Sequence, residues 1–332
     1  MVTVETGLTT AIRPAGDAAV RDAARCLKEG GLVAFPTETV YGLGASAINP
    51  AAIARLYQAK GRPAFNPLIC HVSDLTAARA IGRFEAAADA LAKAFWPGPL
   101  TLVLQQMADC KVADLATAGL ETIAIRVPAH GVARAILQEF GGPVVAPSAN
   151  LSGHVSPTTA GHVKSDLEGR IDLIVDDGAV EVGIESTIVG CFEQPMLLRP
   201  GGLPREEIER VLGHRLVQPP QDADGDSTQS LAPGMLAAHY APRTRVRLNA
   251  DNVERGEALL AFGPPALGED QAVAVMNLSA RGDLNEAAAN LFGYLRSLDA
   301  RAARSIAVMP IPSHGLGEAI NDRLRRAAVG RQ

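Results

Sequence analysis

The chain has 332 residues and a net charge of −5, and 47% of it is hydrophobic although only 4% is aromatic. That length suggests two domains, with cores built mainly from Ala, Val, Leu and Ile. The acidic balance argues against a broad basic face for nucleic acid, and no run of about 18 apolar residues offers a membrane span.

Residues 17–29 read as an amphipathic helix with Val20, Ala24 and Leu27 inward and Gly30-Gly31 as its stop. A buried strand at 32–35 ends at Pro36, which cannot donate to a sheet ladder. Residues 37–44, TETVYGLG, read as a polar, glycine-containing turn. Asn49-Pro50 then forms the N-cap and first residue of a helix through Ile53, Leu56 and Tyr57, which Gly61 closes. Lys60, Arg62 and Asn66 stand at that end, before an apolar run that finishes at His71. Short helices at 73–81 and 85–95 precede a strand at 100–104; an alternating strand at 122–127 ends at Pro128. A helix at 130–140 leads to a strand at 144–146 and the hydroxyl-rich turn PSANLSG. Then come a helix at 158–168, strands at 171–175, 186–189 and 196–198, and a helix at 204–212. Several strands follow one another directly, so we expect a mixed, strongly twisted α/β sheet.

From 214 to about 233 the composition turns to Gln, Pro, Asp, Gly and Ser and reads as a linker. Beyond it lie strands at 245–248, 258–262, 272–278 and 306–309, a helix at 283–302 capped by Asp283, and a helix at 315–328. The expected units are 1–213, a linker at 214–242, and a small α/β domain at 243–332. Cys26, Cys70, Cys110 and Cys191 form no CxxC pair, which excludes a zinc ribbon and fits reduced thiols in a cytosol. The start MVTVETGLTTAIRPAG lacks the apolar stretch of a signal peptide, so the expected location is the cytoplasm.

The nucleotide signals are side chains rather than a glycine-rich loop. GxxxxGK[ST] is absent, and GLGAS lacks the third glycine of a dinucleotide fingerprint. Lys60 and Arg62, a point charge and a fork across one glycine, suit phosphates; the competing reading is a solvated pair at a helix C-terminus. Arg126 sits in an apolar strand and Arg199 just before Pro-Gly-Gly, so each needs a buried partner, either a protein carboxylate or a ligand. Asp176 and Asp177 are adjacent and diverge, and no other acidic, His or Cys cluster has ligand spacing, so no metal site is expected. No GxSxG marks a serine hydrolase.

PTETVYGLG followed by KGRPAFNPL resembles the YrdC/YciO family of threonylcarbamoyl-AMP synthases. TIAIRVP, APSANLSG, ESTIV and LRPG continue the likeness to about residue 203, and APGMLAAHYAP and GLGEAINDRLRRAA resemble the long, two-domain form. The resemblance implies a YrdC-like catalytic domain and a nucleotidyltransferase making threonylcarbamoyl-AMP and pyrophosphate from L-threonine, bicarbonate (or CO₂) and ATP. Mg²⁺ would arrive with ATP, and the product would pass to a tRNA threonylcarbamoyl transferase. By matching motif positions, Lys60 and Arg62 are catalytic; Arg62, Asn66, Thr122, Ser148, Ser156, Arg199 and Tyr240 hold ATP; Thr39, His71, Arg126 and Ser186 hold L-threonine. For each Ser and Thr the alternative is a cap or turn hydrogen bond, and for His71 a satisfied core or surface histidine. The segment 232–242 regains apolar character and is expected to close over the site as a lid, with Tyr240 reaching the nucleotide. A carbamoyltransferase of the hydrogenase-maturation type would need zinc-finger cysteine pairs that the chain lacks. The non-enzymatic alternative, an RNA-binding module using the same concave cationic surface, lacks stacking aromatics.

Overall fold

The computed structural model describes residues 7–219, 240–264 and 268–329. The first domain comprises β1 (Ala11–Pro14), α1 (Asp17–Lys28), β2 (Val33–Pro36), β3 (Tyr41–Ser46), α2 (Pro50–Lys60), β4 (Ile69–His71), α3 (Leu75–Arg79), α4 (Ala86–Phe95) and β5 (Leu100–Gln105). It continues with α5 (Asp114–Thr117), β6 (Thr122–Arg126), α6 (Gly131–Phe140), β7 (Val144–Val145), α7 (Ala160–Leu167), β8 (Leu173–Asp176), β9 (Thr187–Gly190), β10 (Met196–Arg199) and α8 (Arg205–Leu212). Its ten strands make one mixed sheet in the order β1-β8-β2-β3-β7-β4-β6-β5-β9-β10, as the uninterrupted strand runs suggest.

One expectation fails beside the site. Residues 37–44 are not all turn: β3 is a fully buried strand, antiparallel to β2, with Phe35 opposite Gly42 and Pro36 opposite Tyr41. Its glycines are there for packing. A Cβ on Gly44 would stand 2.7 Å from the Phe35 ring, so β2 and β3 can lie this close only without one. The actual turn is residues 37–40, tied by Thr37, whose hydroxyl donates to the Val40 carbonyl at 2.7 Å. Strand β1 and the one-turn α5, four residues each, are too short to register as periodic segments.

Helix α2 follows the sequence signals. Asn49 Oδ1 accepts from the N–H groups of Ala51 and Ala52 at 3.0 and 3.2 Å, Pro50 opens the first turn, and Gly61 closes the helix at φ 58°. This left-handed cap reverses the chain between Lys60 and Arg62. Helices α1 and α6 cover one face of the sheet with Ala23, Leu27, Ala133 and Ile136 over Val33, Phe35 and Val144. Helices α2 and α4 cover the other with Ile53, Leu56 and Leu91. Val217 still bridges to Met196, and Leu216 is buried in the main core.

The second domain is a parallel four-stranded sheet, β11 (Arg245–Arg247), β12 (Ala258–Ala261), β13 (Val275–Asn277) and β14 (Ser305–Val308), in the order β11-β14-β12-β13. Helices α9 (Leu284–Asp299) and α10 (Leu316–Ala328) pack on it. Asp283 caps α9 by accepting from the N–H groups of Asn285 and Glu286. The two domains share a hydrophobic cluster: Val40, Val155 and Ile184 of the first pack with Leu291, Phe292 and Ile320 of the second. No helix among the described residues is long and apolar enough to cross a membrane.

Candidate active site

A cavity of about 50 Å³ opens where the β2–β3 turn, the ends of β4, β6 and β10, and the segments after β7 and before β9 converge. That space holds a few waters; two substrates would require it to widen. Its two ends are built differently.

At one end, β4 and β6 run parallel with His71 and Arg126 as register partners. Arg126 is 4% exposed. Its Nη2 stands 2.7 Å from Glu38 Oε1, its Nη1 donates to Thr39 Oγ1 at 2.9 Å, and its Nε donates to the Gly98 carbonyl at 3.3 Å. A guanidinium carries five N–H donors, so two remain for a carboxylate. Burial alone would raise the Glu38 pKa, but Arg126 holds it below the ordinary carboxylate value. His71 donates from Nδ1 to the Ile69 carbonyl at 3.2 Å. Burial, reinforced by the Arg126 charge, pulls its pKa down to about 3, so the ring is neutral and Nε2 is an acceptor. Ser186 shares a hydrogen bond with Thr101 at 2.8 Å.

The other end is cationic. Arg62 lines the cavity and is braced by the Asn66 and Pro67 carbonyls at 3.3 and 3.0 Å. Arg199 is buried and donates from Nε and Nη2 to the Ser186 carbonyl at 3.2 and 2.9 Å. Tyr240 closes this end, stacked on Phe292 of α9 with ring centroids 5.5 Å apart.

Of the expected residues, Thr39, Arg62, His71, Arg126, Ser148, Ser186, Arg199 and Tyr240 line the cavity together. Lys60 does not. It is 2% exposed, and its Nζ donates to the Ser148 and Asn150 carbonyls from beneath the loop they form. Burial holds its pKa well below the ordinary lysine value, which removes the reading of Lys60 as half of a solvated pair. Asn66 is buried with an Oδ1 that has no partner among the described residues. Ser156 is wholly buried and donates to Glu185 Oε1. Thr122 opens β6 while Arg126 ends it, so four residues, about 13 Å at ~3.3 Å each, separate them and Thr122 does not reach the cavity. Of the expected lid, residues 232–239 lie outside the described residues. Among the described residues no group of three or more His, Cys, Asp or Glu side chains could hold a metal ion.

Sequence reading missed two residues. Glu185 lines the cavity, and Arg323 of α10 reaches across the domain seam to it. The signal was weak: a carboxylate just before the hydroxyls of ESTIV, and an arginine amid the apolar stripe of an amphipathic helix.

A family model described as telomere recombination, covering the Sua5, YciO and YrdC proteins, matches residues 25–201. The chain belongs to the Sua5/YciO/YrdC family. Residues 203–329 match a model described as the C-terminal domain of threonylcarbamoyl-AMP synthase, so this is the long, two-domain form of the family. A threonylcarbamoyl-AMP synthase of Bacillus subtilis is 42% identical, over 95% of this chain and 94% of its own. One from Pyrococcus abyssi is 41% identical, over 93% of this chain and 94% of its own. The crystal structure of P. abyssi Sua5 complexed with L-threonine superposes with a TM-score of 0.87 at 37% identity, covering 97% of each chain. Within the family's opening motif the structure adds one pairing that the sequence left open: Glu38 of PTET stands against Arg126 of TIAIR.

Proposed function

We propose that this chain is an L-threonylcarbamoyladenylate synthase, a nucleotidyltransferase that joins L-threonine, bicarbonate (or CO₂) and ATP. The observation that carries the reading is one cavity with an ion-paired, hydroxyl-lined arginine site at one end and two arginines at the other. The two spare N–H groups of Arg126 receive the threonine carboxylate. Thr39, His71 and Ser186 surround the threonine side chain. Arg62 and Arg199 neutralise phosphates, and Ser148, Ser156, Asn66 and Tyr240 bound the nucleotide. Lys60 holds the Ser148–Asn150 loop by its carbonyls and bears on the phosphates through that loop.

The amino group of threonine takes up CO₂ or bicarbonate to give a carbamate. A carbamate oxygen then attacks the α-phosphorus, the bond to the β-phosphate oxygen breaks, and pyrophosphate leaves. The carbamate and the mixed anhydride both hydrolyse readily, so a small cavity whose water the bound substrates displace serves the chemistry directly. Positioning and charge neutralisation supply most of the rate. Mg²⁺ comes as the counter-ion of ATP, keeping several waters. The product is an activated carbamoyl group for a separate transferase acting on tRNA adenosine.

ATP–pyrophosphate exchange tests the reading. Exchange should require both threonine and bicarbonate; exchange that ignores either one, or RNA binding without any exchange, would overturn it.

A further inference from the structure

We propose that the second domain is part of the active site: Arg323 of α10 is a positioning residue that, through Glu185, sets the nucleotide end of the cavity. This rests on the assignment of Ser156 and Arg199 to that end.

The connection can be followed atom by atom. Arg323 is 0% exposed and donates from Nε to Glu185 Oε2 at 2.8 Å. Its Nη1 donates to Asp322 at 2.6 Å, which fixes the plane of the guanidinium, and its Cζ lies 5.1 Å from the centroid of the Tyr240 ring. Glu185 Oε1 accepts from Ser156 of its own domain while Oε2 accepts from Arg323, so one carboxylate links Ser156 to the second domain. The Glu185 carbonyl accepts from Gly202 N–H at 2.8 Å, and the next carbonyl, that of Ser186, receives Arg199. Gly201 leaves no slack here, since a Cβ on it would lie 2.4 Å from backbone atoms of residues 185–187. Gly183, at φ 77°, presses the preceding turn onto α9: a Cβ there would come within 2.4 Å of the Ala288 carbonyl and the Ala289 Cα. The segment 183–186 is thus held from both sides, by the second domain and by the Arg199–Gly202 turn.

Chemistry gives this arrangement a purpose. Glu185 is an anion on the wall of the cavity, which on the proposed function takes a triphosphate. Unpaired, it would repel the substrate; paired with Arg323, it becomes an acceptor that orients Ser156. A buried ion pair is an inefficient source of stability, because desolvation offsets most of the attraction. Two other ion pairs already bind the domains, Asp166–Arg296 at 2.9 Å and Arg205–Glu318. Neither involves a cavity residue, so adhesion of the domains does not require Arg323–Glu185.

The experiment measures pyrophosphate release by the full-length chain while ATP and threonine are varied separately. Arg323→Ala should raise KM for ATP at least tenfold and change KM for threonine by less than twofold. Arg323→Lys, which keeps a cation for Glu185, should recover most of the loss, and Arg205→Ala, which cuts a seam contact away from the cavity, should leave KM for ATP within twofold. If Arg323→Ala does not fold, the isosteric Glu185→Gln takes its place with the same expectation. A folded Arg323→Ala protein with the wild-type KM for ATP overturns the proposal, and so does Arg205→Ala raising that constant equally, since the seam would then be only adhesive. Ser156→Ala and Arg199→Ala separate the two levels: if neither alters KM for ATP, the nucleotide assignment fails, and if they alter it while Arg323→Ala does not, the Arg323 role alone fails.

Discussion

The two ends of the cavity are stabilised by different means. At the amino-acid end every bond belongs to the first domain: Glu38 and Thr39 from the β2–β3 turn, Arg126 and His71 side by side on β6 and β4, and the Gly98 carbonyl. At the nucleotide end the bonds cross the seam, from Ser156 through Glu185 to Arg323 and from Tyr240 to Phe292. A small, constant group such as an α-carboxylate can be met by a rigid set of donors. The nucleotide proposed for the other end is larger, and that end is the one assembled from both domains.

The largest effect that would test this contrast comes from Arg126. Arg126→Ala should remove threonine-dependent exchange and also destabilise the fold by about 3–5 kcal/mol, because Glu38 is left as a buried charge without its cation. ATP binding should stay within about twofold. Removing both partners, Glu38→Ala with Arg126→Ala, should restore most of the stability in thermal denaturation but none of the threonine dependence. A double variant that regains threonine turnover would show that Arg126 only neutralises Glu38.

The same contrast marks what the sequence made legible. The residues assigned to the amino-acid end came from the resemblance, and the structure brings Thr39, His71, Arg126 and Ser186 to one cavity. For Arg126 the alternatives of protein carboxylate and ligand turn out to be compatible: Glu38 occupies one edge of the guanidinium and leaves two donors. The nucleotide end depends on contacts between distant segments, such as Glu185 and Arg323, 138 residues apart, and no periodicity connects them. The turn at 37–44 was misread for a local reason. Glycine in a strand signals close backbone approach as well as turns, and only the Phe35 ring over Gly44 decides between them. Lys60 was assigned to the phosphates on the motif, with a solvated pair at the helix end as the alternative; the left-handed Gly61 and the 148–150 carbonyls bury it, which removes the solvated pair.

A smaller effect tests how the amino-acid end reads its side chain. Thr39, His71 and Ser186 offer polar partners for a hydroxyl, all within the first domain. Serine lacks one methyl, worth about 1–3 kcal/mol, so it should be a poor but measurable substrate. Valine places a methyl where the hydroxyl belongs and leaves buried polar groups unpaired, so it should be rejected more strongly. Comparing kcat/KM for the two amino acids decides the matter. Valine turning over as fast as serine would mean that the hydroxyl is not read at this end.

The smallest expected effect is acid sensitivity, and it asks whether the amino-acid end is preset as a neutral pocket. His71 is 2% exposed, beside the cation Arg126 and the anion Glu38, and burial dominates: its pKa lies near 3 against an ordinary value of 6.5. Above pH 6.5 neither the folded nor the unfolded chain carries this proton, so the residue has no effect on stability there. As pH falls from 6.5 towards 3, the unfolded chain binds a proton that the folded chain excludes, and stability is lost. By pH 5.5 the loss from this group should be about 1.4 kcal/mol. His162, whose pKa is pulled down to about 4 by burial, loses stability over an overlapping range, so a single acid titration cannot isolate one ring. The difference between proteins can. His71→Asn should lie below wild type in denaturant midpoint at pH 7.5 and recover about 1.4 kcal/mol of that deficit at pH 5.5. A deficit that is equal at both pH values would mean that His71 takes up its proton in the folded state and that this end is not held neutral.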